Sequence, residues 1–340
     1  MKTCWLEIVC VGLGSVLFVS LSWGQPCERW TEGVPIGQLD VAILPEASGV
    51  AASHRFSNRL YHINDSDNGS FFFITDLQGA RLQSVRIESS SFSHAHNHAT
   101  DFEDISVGPC FVGETCLFVA DIGDNFGPAD SAIRKTIEIL IIRERAFFPS
   151  SLEADLELKL VYPDGPHNAE GFAVHPNGDI YILTKEIDYF TWTAFPAQLF
   201  FLPRYEWEES QSSVHQLMKV GELNLPKLVP PHASLWGQVV TGFDIHPNGE
   251  NFLVLTYDFA FEIFGDPSRH LLIKEGELQE GRDYRFIPLH TLPQQEGITY
   301  LPGGKSFIYH TESSKQFFRL IRGFGFDDQP VDIIQVDCLG

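Results

Sequence analysis

Five positions open short alternating runs with side chains able to bind metal or move protons: Ser48, Glu103, Glu170, Thr241 and Glu296. Each stands before a Gly or Asp and then an apolar residue, as in Glu170-Gly171-Phe172 and Glu296-Gly297-Ile298; Ser48 likewise precedes Gly49-Val50. Every run is followed by a turn and a second run that ends on more polar residues: Asn64-Asp65, Asp121, Thr184-Lys185, Thr256-Tyr257 and Thr311-Glu312. Carboxylates gathered in one place raise one another's pKa or must share a cation. Oxygen donors at flexible spacing suit Ca²⁺ better than Zn²⁺. Glu103, Glu170, Glu296, Asp121 and Asp65 are therefore the candidate metal ligands, with Ca²⁺ the expected cofactor. Lys185, Tyr257 and Glu312 are the candidates for holding a substrate, Lys185 an anionic group. The competing reading is that each glutamate caps backbone N–H groups of an adjoining strand.

Whether these side chains meet depends on the elements that carry them. Asn168 to Glu186, NAEGFAVHPNGDIYILTKE, reads as a β-hairpin, and the stretches from Val239 and Gln294 repeat it. The Gly-to-Gly distance is the same in each, 178 − 171, 249 − 242 and 304 − 297 all giving 7. Such periodicity marks a repeat architecture. Aligning Gly49 and Asp104 with Gly171, Gly242 and Gly297 gives five units spaced by 55, 67, 71 and 55 residues, the length of a four-stranded propeller blade with its loops. Third apolar runs are expected at 70–75, 136–142, 198–202, 269–274 and 316–321, and fourth runs at 82–88, 156–162, 214–223 and 284–289. The Phe residues at 71–73, 200–201 and 317–318 should fill the wedges between sheets. Short strands punctuated by Gly, Pro and Asn, without a sustained helical period, argue for an all-β chain. The expectation is a single β-propeller with five visible blades; six remain possible if 203–236 hides another. Residues 38–43 should add a strand to the last blade and close the ring, leaving no open edge. In a propeller the first strands line the central channel, so the five opening residues become neighbours at one mouth.

Composition narrows the setting. The 340 residues carry a net charge of −22, which argues against nucleic acid and anionic membranes as partners and for a small-molecule or cationic ligand at the mouth. Residues 1–24 have Lys2 in front, an apolar stretch through Leu21, and small residues at Ser22 and Gly24, as a secretory signal peptide would; Glu7 interrupts it. The expected mature domain is 25–340, without a membrane span, secreted, or periplasmic in a Gram-negative bacterium. The sequence is silent on oligomeric state. Six cysteines become four once Cys4 and Cys10 leave with the leader, an even set in an exported chain. Cys110 and Cys116 flank a hairpin turn and should pair, leaving Cys27 near the start for Cys338 near the end.

Other motifs are weaker. HINDSDNG at 62–69 and DIGDN at 121–125 alternate carboxylate and amide like cation loops, yet neither has EF-hand spacing. His94, His96 and His98 alternate and would share a direction in an extended strand, as Zn²⁺ ligands could. Asn64 and Asn68 lie in N-x-S sequons. No GxSxG, HExxH or strand-to-helix GxGxxG occurs, and the Gly303-Gly304-Lys305-Ser306 stretch is a hairpin turn.

The blocks HINDSDN, DFEDISVGPC, CLFVADIGDN, YPDGPHNAEGF, HPNG and YILTK, in that order from about Glu46 to Glu312, resemble a broad, mostly uncharacterised family of exported β-propeller proteins. More distantly the chain is similar to phytase-like esterase propellers and, in its E-G-[IF] strand openings, to gluconolactonase-type and NHL-type propellers. The resemblance implies a propeller, export and an acidic cation-binding face. The Asp-rich signatures of calcium-dependent phytases are absent, so no catalytic set carries over. Two functions follow as expectations: a Ca²⁺-dependent hydrolase of phosphate esters or lactones, in which the metal polarises the ester and activates water, or a non-catalytic extracellular binding propeller.

Overall fold

The computed structural model describes residues 26–65, 69–89, 101–124, 134–209, 213–267, 278–290, 292, 294–312 and 331–339. The leader 1–24, the histidines at 94, 96 and 98, and Asn68 lie outside them.

The chain is all-β and forms five sheets arranged as a five-bladed propeller. Blade 1 is Ala47–Ala52, Leu60–Asn64, Phe71–Thr75 and Arg81–Glu88; blade 2 is Phe102–Cys110, Glu114–Asp121, Ile137–Arg143 and Leu156–Val161. Blade 3 is Ala169–Val174, Ile180–Thr184, Ala197–Leu202 and Met218–Leu223; blade 4 is Val240–Ile245, Asn251–Thr256, Phe259–Phe264 and Tyr284–Pro288. Blade 5 takes Gln295–Tyr300, Ser306–Thr311 and Val331–Leu339 from the end of the chain, and Val34–Leu39 pairs with the last of these as its outer strand. This strand closes the ring, but it lies earlier than the expected 38–43: residues 41–43 form a turn instead, in which Ile43 N–H and Leu44 N–H bond Asp40 O. The stretch 203–236 forms no sixth blade: it holds the outer strand of blade 3 and two short helices, Arg204–Glu208 and Leu225–Leu228.

Two third strands differ from expectation. In blade 4 the third strand is Phe259–Phe264, two residues after the second strand, and in blade 5 it is Val331–Leu339. The runs 269–274 and 316–321, each the next apolar stretch in sequence, lie outside the described residues.

The buried apolar residues fall into five clusters, one in each wedge between neighbouring blades, which is how alternating strands bury both faces. Phe72 packs between blades 1 and 2, and Phe200 between blades 2 and 3. Two of the outer edges are covered as well. Ser151–Glu153 runs parallel to the outer strand of blade 1, and His215–Gln216 does the same on blade 2, each supplied by the following blade. Capped edges leave no open ladder for another chain to extend.

Around the axis the first strands touch one another, and in four of the five blades the contact leaves no room for a side chain. A β-carbon on Gly242 would lie 2.7 Å from the carbonyl oxygen of Glu296, and one on Gly49 would lie 2.7 Å from Cα of Asp104. Side chains also bridge consecutive first strands: Val174 N–H donates to Ser106 Oγ (3.1 Å), Tyr300 N–H to Asp244 Oδ2 (2.7 Å) and Ala52 N–H to Thr299 Oγ1 (3.3 Å). At the opposite face the Pro-Asn-Gly turns need left-handed glycines, Gly178 at φ +95° and Gly249 at φ +76°.

Both expected disulfides form, Cys110–Cys116 within a hairpin and Cys27–Cys338 across the ring closure. The loop closed by the second spans 311 residues against 6 for the first. Chain entropy then assigns roughly 5 kcal/mol to the long loop and about 2 kcal/mol to the short one, as upper bounds. Replacing Cys27 and Cys338 by Ser should lower the melting temperature clearly more than replacing Cys110 and Cys116; equal losses in scanning calorimetry would remove ring closure as the reason.

Candidate functional site at the channel mouth

Each first strand carries a register shift at the same place. Pairing with the second strand skips Glu103, Glu170, Thr241 and Glu296, and in blade 1 the pair Ser48-Gly49. A β-bulge leaves its extra residue outside the ladder and re-aims its side chain. Five equivalent bulges therefore present the five opening residues where first and second strands meet the mouth. Nothing in the sequence distinguished a bulge from regular pairing except the polar residue standing where alternation asks for an apolar one.

The mouth has two unlike halves. On the side of blades 1 and 2, one carboxylate oxygen from each of Asp65, Asp101 and Glu103 lies within 4.8 Å of the others. Oxygens sharing one Ca²⁺ at 2.3–2.6 Å can be no more than about 5 Å apart. Gly123 of the DIGDN stretch makes room for them: a β-carbon there would sit 2.2 Å from Glu103 Oε1 and 2.3 Å from Asp101 Oδ2. Glu103 is only 2% exposed, and its Oε1 has no hydrogen-bond partner among the described residues. The backbone-capping role falls instead to a neighbour, Asp104, whose Oδ2 accepts from Phe172 N–H at 2.9 Å.

Asp121 does not share this position. It forms a 2.7 Å ion pair with Arg134 and accepts Asp101 N–H at 2.8 Å, so it acts as the strut that carries Asp101. Asp101 and Arg134 were not singled out in the sequence; Asp101 stands two residues before the bulge, where blades 3 and 5 place Asn168 and Gln294. The DIGDN and NAEGF stretches meet here, Asp124 N–H donating to Asn168 Oδ1 at 2.8 Å.

On the side of blades 3 and 4, the buried Lys185 forms an ion pair with Glu170 and donates to Tyr257 Oη at 2.9 Å. Glu296 and Glu312 lie nearby; Glu312 accepts from Gln294 Nε2. Thr241 is buried in the ring, and Ser48 Oγ donates to Glu103 O at 2.6 Å. The sequon residue Asn64 is buried, its Nδ2 donating to Ile43 O at 3.0 Å and its Oδ1 accepting Glu46 N–H at 3.3 Å, so in the folded chain its amide is not free for a glycan.

The electrostatics follow from burial plus like charge. Burial, then the charge of Asp65, pushes the Asp101 carboxyl up to about 7, with Arg134 opposing. Burial with Asp65, Asp101 and Glu170 pushes Glu103 well above the carboxylate range, and burial with Glu170 and Glu312 does the same to Glu296. Glu312 is raised by burial and by Asp65 and Glu46. Burial works to lower the Lys185 pKa, but Glu170, Tyr257 and Glu296 more than reverse it and keep the ammonium charged.

No protein-family model matches the chain, and no curated protein matches it in sequence. The resemblance to exported and phytase-like propellers thus stands on the quoted motifs alone. Among solved structures, the PQQ-bound form of aldose sugar dehydrogenase from Streptomyces coelicolor is similar over 91% of this chain and 98% of its own, at 11% identity and a TM-score of 0.43. The WD40 repeats of RRP9 are similar over 86% of this chain and 67% of theirs, at 11% identity and a TM-score of 0.40. The five-bladed assignment rests on the sheets described above.

A carboxyl whose native pKa is raised binds its proton more tightly folded than unfolded. The stability it contributes is full below the unfolded pKa near 4 and is lost as the pH climbs through the native value, about 7 for Asp101. The buried His62 and His310, both lowered by burial, work the other way: stability falls as the pH drops below their unfolded value near 6.5. Comparing the native protein with Glu103→Gln cancels the histidines. In EDTA the variant should melt higher than the native protein at about pH 8, and the gap should close toward about pH 5; parallel melting temperatures across that range would take Glu103 out of the repulsion.

Proposed function

We propose that this chain is a secreted propeller whose acidic mouth binds a divalent cation, Ca²⁺ first, through Asp65, Asp101 and Glu103, and uses it to hold a ligand there. The observation that carries the reading is the buried Glu103 Oε1, without a hydrogen-bond partner among the described residues and packed with Asp101 Oδ2 on Gly123. A buried acceptor left unsatisfied is costly, and a cation shared by three carboxylates removes both that cost and their repulsion. Glu170 and Glu296 border this position as outer charges. The two disulfides, stable in an oxidising compartment, support export, and no described helix is long and apolar enough to cross a membrane.

Binding is favoured over phosphate ester hydrolysis by a specific feature of the site. The mouth cations Lys185 and Arg134 are held by Glu170 and Asp121, so neither is free to receive an anionic group. Lactone hydrolysis needs no such cation: a bound metal would polarise the carbonyl and activate water. An esterase, lactonase and phosphatase screen with and without Ca²⁺ separates catalytic from non-catalytic forms of this reading.

A cation that binds only the native state stabilises it by about 2.7 kcal/mol at a hundred times its dissociation constant. Millimolar Ca²⁺ should therefore raise the native melting temperature at about pH 7.5 relative to EDTA, while Glu103→Gln and Asp101→Asn should lose most of that increment. Superimposable melting curves with Ca²⁺ and with EDTA would end the metal reading.

A further inference from the structure

The half of the mouth away from the carboxylate triad carries a feature that a metal site does not need. Between the second and third strands of blade 3 the chain forms a small hairpin, Ile187–Asp188 paired with Thr193–Ala194. Its turn holds Tyr189 and Trp192, 41% and 58% exposed. Trp192 adopts φ +52°, a left-handed conformation that bulky residues avoid and Gly or Asn would take with less strain. Large apolar side chains in solvent and a strained backbone both cost stability, so their coincidence at one turn beside the mouth points to use.

From this turn an aromatic ladder runs inward. Trp192 meets Trp236 at 6.1 Å between ring centroids and 84°, and Trp236 meets Tyr257 at 5.6 Å and 86°. Tyr189 meets Trp192 at 6.4 Å and 82°. Each successive ring stands nearly perpendicular to the last in edge contact, so the ring faces, which carry negative potential, turn in different directions along the ladder. At its inner end Tyr257 already receives a cation: Lys185 Nζ lies 5.0 Å from the ring centroid. Carboxylates surround it. Glu170 and Glu296 lie by Lys185, and Asp258, hydrogen-bonded to Ser234 at 2.6 Å, lies beside the turn that carries Trp236.

We infer that the aromatic corner of Tyr189, Trp192, Trp236 and Tyr257 binds an alkylated ammonium group, a trimethylammonium headgroup or its equivalent. A small hard cation gains more from oxygen ligands and would go to the triad. A methylated ammonium is weakly hydrated, fits against perpendicular aromatic faces and gains from their potential, as in aromatic cages. Asp258, at the turn that carries Trp236, supplies the counter-charge and draws it in, since Glu170 is already paired with Lys185. This site uses none of the three carboxylates of the proposed metal triad.

The test is calorimetric titration in EDTA with choline chloride and, separately, with 3,3-dimethylbutan-1-ol, which has the same shape without the charge. Running it without divalent metal keeps the result independent of the triad. Choline should bind, and its neutral isostere should bind at least about tenfold more weakly. Trp192→Asn should weaken choline by at least about tenfold while melting no lower than the native protein, because Asn accepts the left-handed backbone. Tyr189→Ala should weaken choline as well, and Asp258→Asn should weaken choline but not the isostere. Absence of choline binding, an isostere as tight as choline, or unchanged binding in Trp192→Asn and Tyr189→Ala would overturn the inference. So would an oligosaccharide such as maltotetraose binding through the same residues in preference to choline.

Discussion

Everything at the mouth depends on how little space separates the five first strands at the axis. Where Gly49, Gly171, Gly242 and Gly297 stand, a β-carbon would fall between 2.5 and 2.8 Å from the nearest atoms, most of them on the next blade. In blade 2 the same position is Asp104, and it is accommodated because its carboxylate accepts Phe172 N–H of blade 3 instead of pushing against it. Strands so close cannot keep a flat ladder up to their ends. The bulge falls on the residue just before each of these close approaches, or spans it in blade 1, and a bulged residue turns out of the sheet. The chemistry of the mouth is thus a by-product of packing at the axis: whatever residue precedes the tight contact is delivered to the opening.

That geometry concentrates carboxylates, and the chain has neutralised only part of the charge. Glu170 has Lys185 and Asp121 has Arg134, both pairs mostly buried, so each ion is costly to leave alone. In the triad of Asp65, Asp101 and Glu103 three carboxylates crowd together, and their charge, with burial, pushes Asp101 and Glu103 upward. The unequal treatment separates the mouth into a neutralised half beside the aromatic ladder and an acidic half beside DIGDN. A protein that needed the ring only for stability could have paired all of its carboxylates or replaced them, as Ser48 and Thr241 do at the equivalent bulges.

The propeller was legible because register in a hairpin is set by its turn: three Pro-Asn-Gly or Pro-Gly-Gly turns seven residues after a strand-opening Gly can only be equivalent units. The disulfides were legible from spacing and from the logic of ring closure. The third strands of blades 4 and 5 were not. Phe259–Phe264 begins two residues after its partner, too soon to read as a separate strand, and Val331–Leu339 follows an interval in which 316–321 offered a nearer apolar run. At the site, the opening glutamates could be placed at the mouth from the repeat alone, but not their partners. Arg134 lies thirteen residues from Asp121, and Asp101 reads as one more acid in DFED's approach; only the fold brings them into contact.

The end of the propeller opposite the mouth explains why the mouth can be so crowded without loosening the ring. His175 and His246, from the HPNG turns, each point Nε2 at the next blade's turn glycine, lying 3.2 Å from Gly249 O and Gly304 O. Their Nδ1 atoms accept the N–H of Asn177 and Asn248 at 3.1 Å, which leaves Nε2 as the protonated donor. The same glycines must lack a side chain twice over, for their left-handed φ and for the imidazole that packs on them. Blades 3, 4 and 5 are therefore stitched in series by an interaction that uses no net charge and sits away from the carboxylates. With the first strands also bridged by Ser106, Asp244 and Thr299, the repulsion at the mouth acts on loops and side chains rather than on the ring itself. A rigid base of this kind is what allows strain, exposed aromatics and crowded carboxylates to accumulate at one end of a fold, where they can be spent on binding.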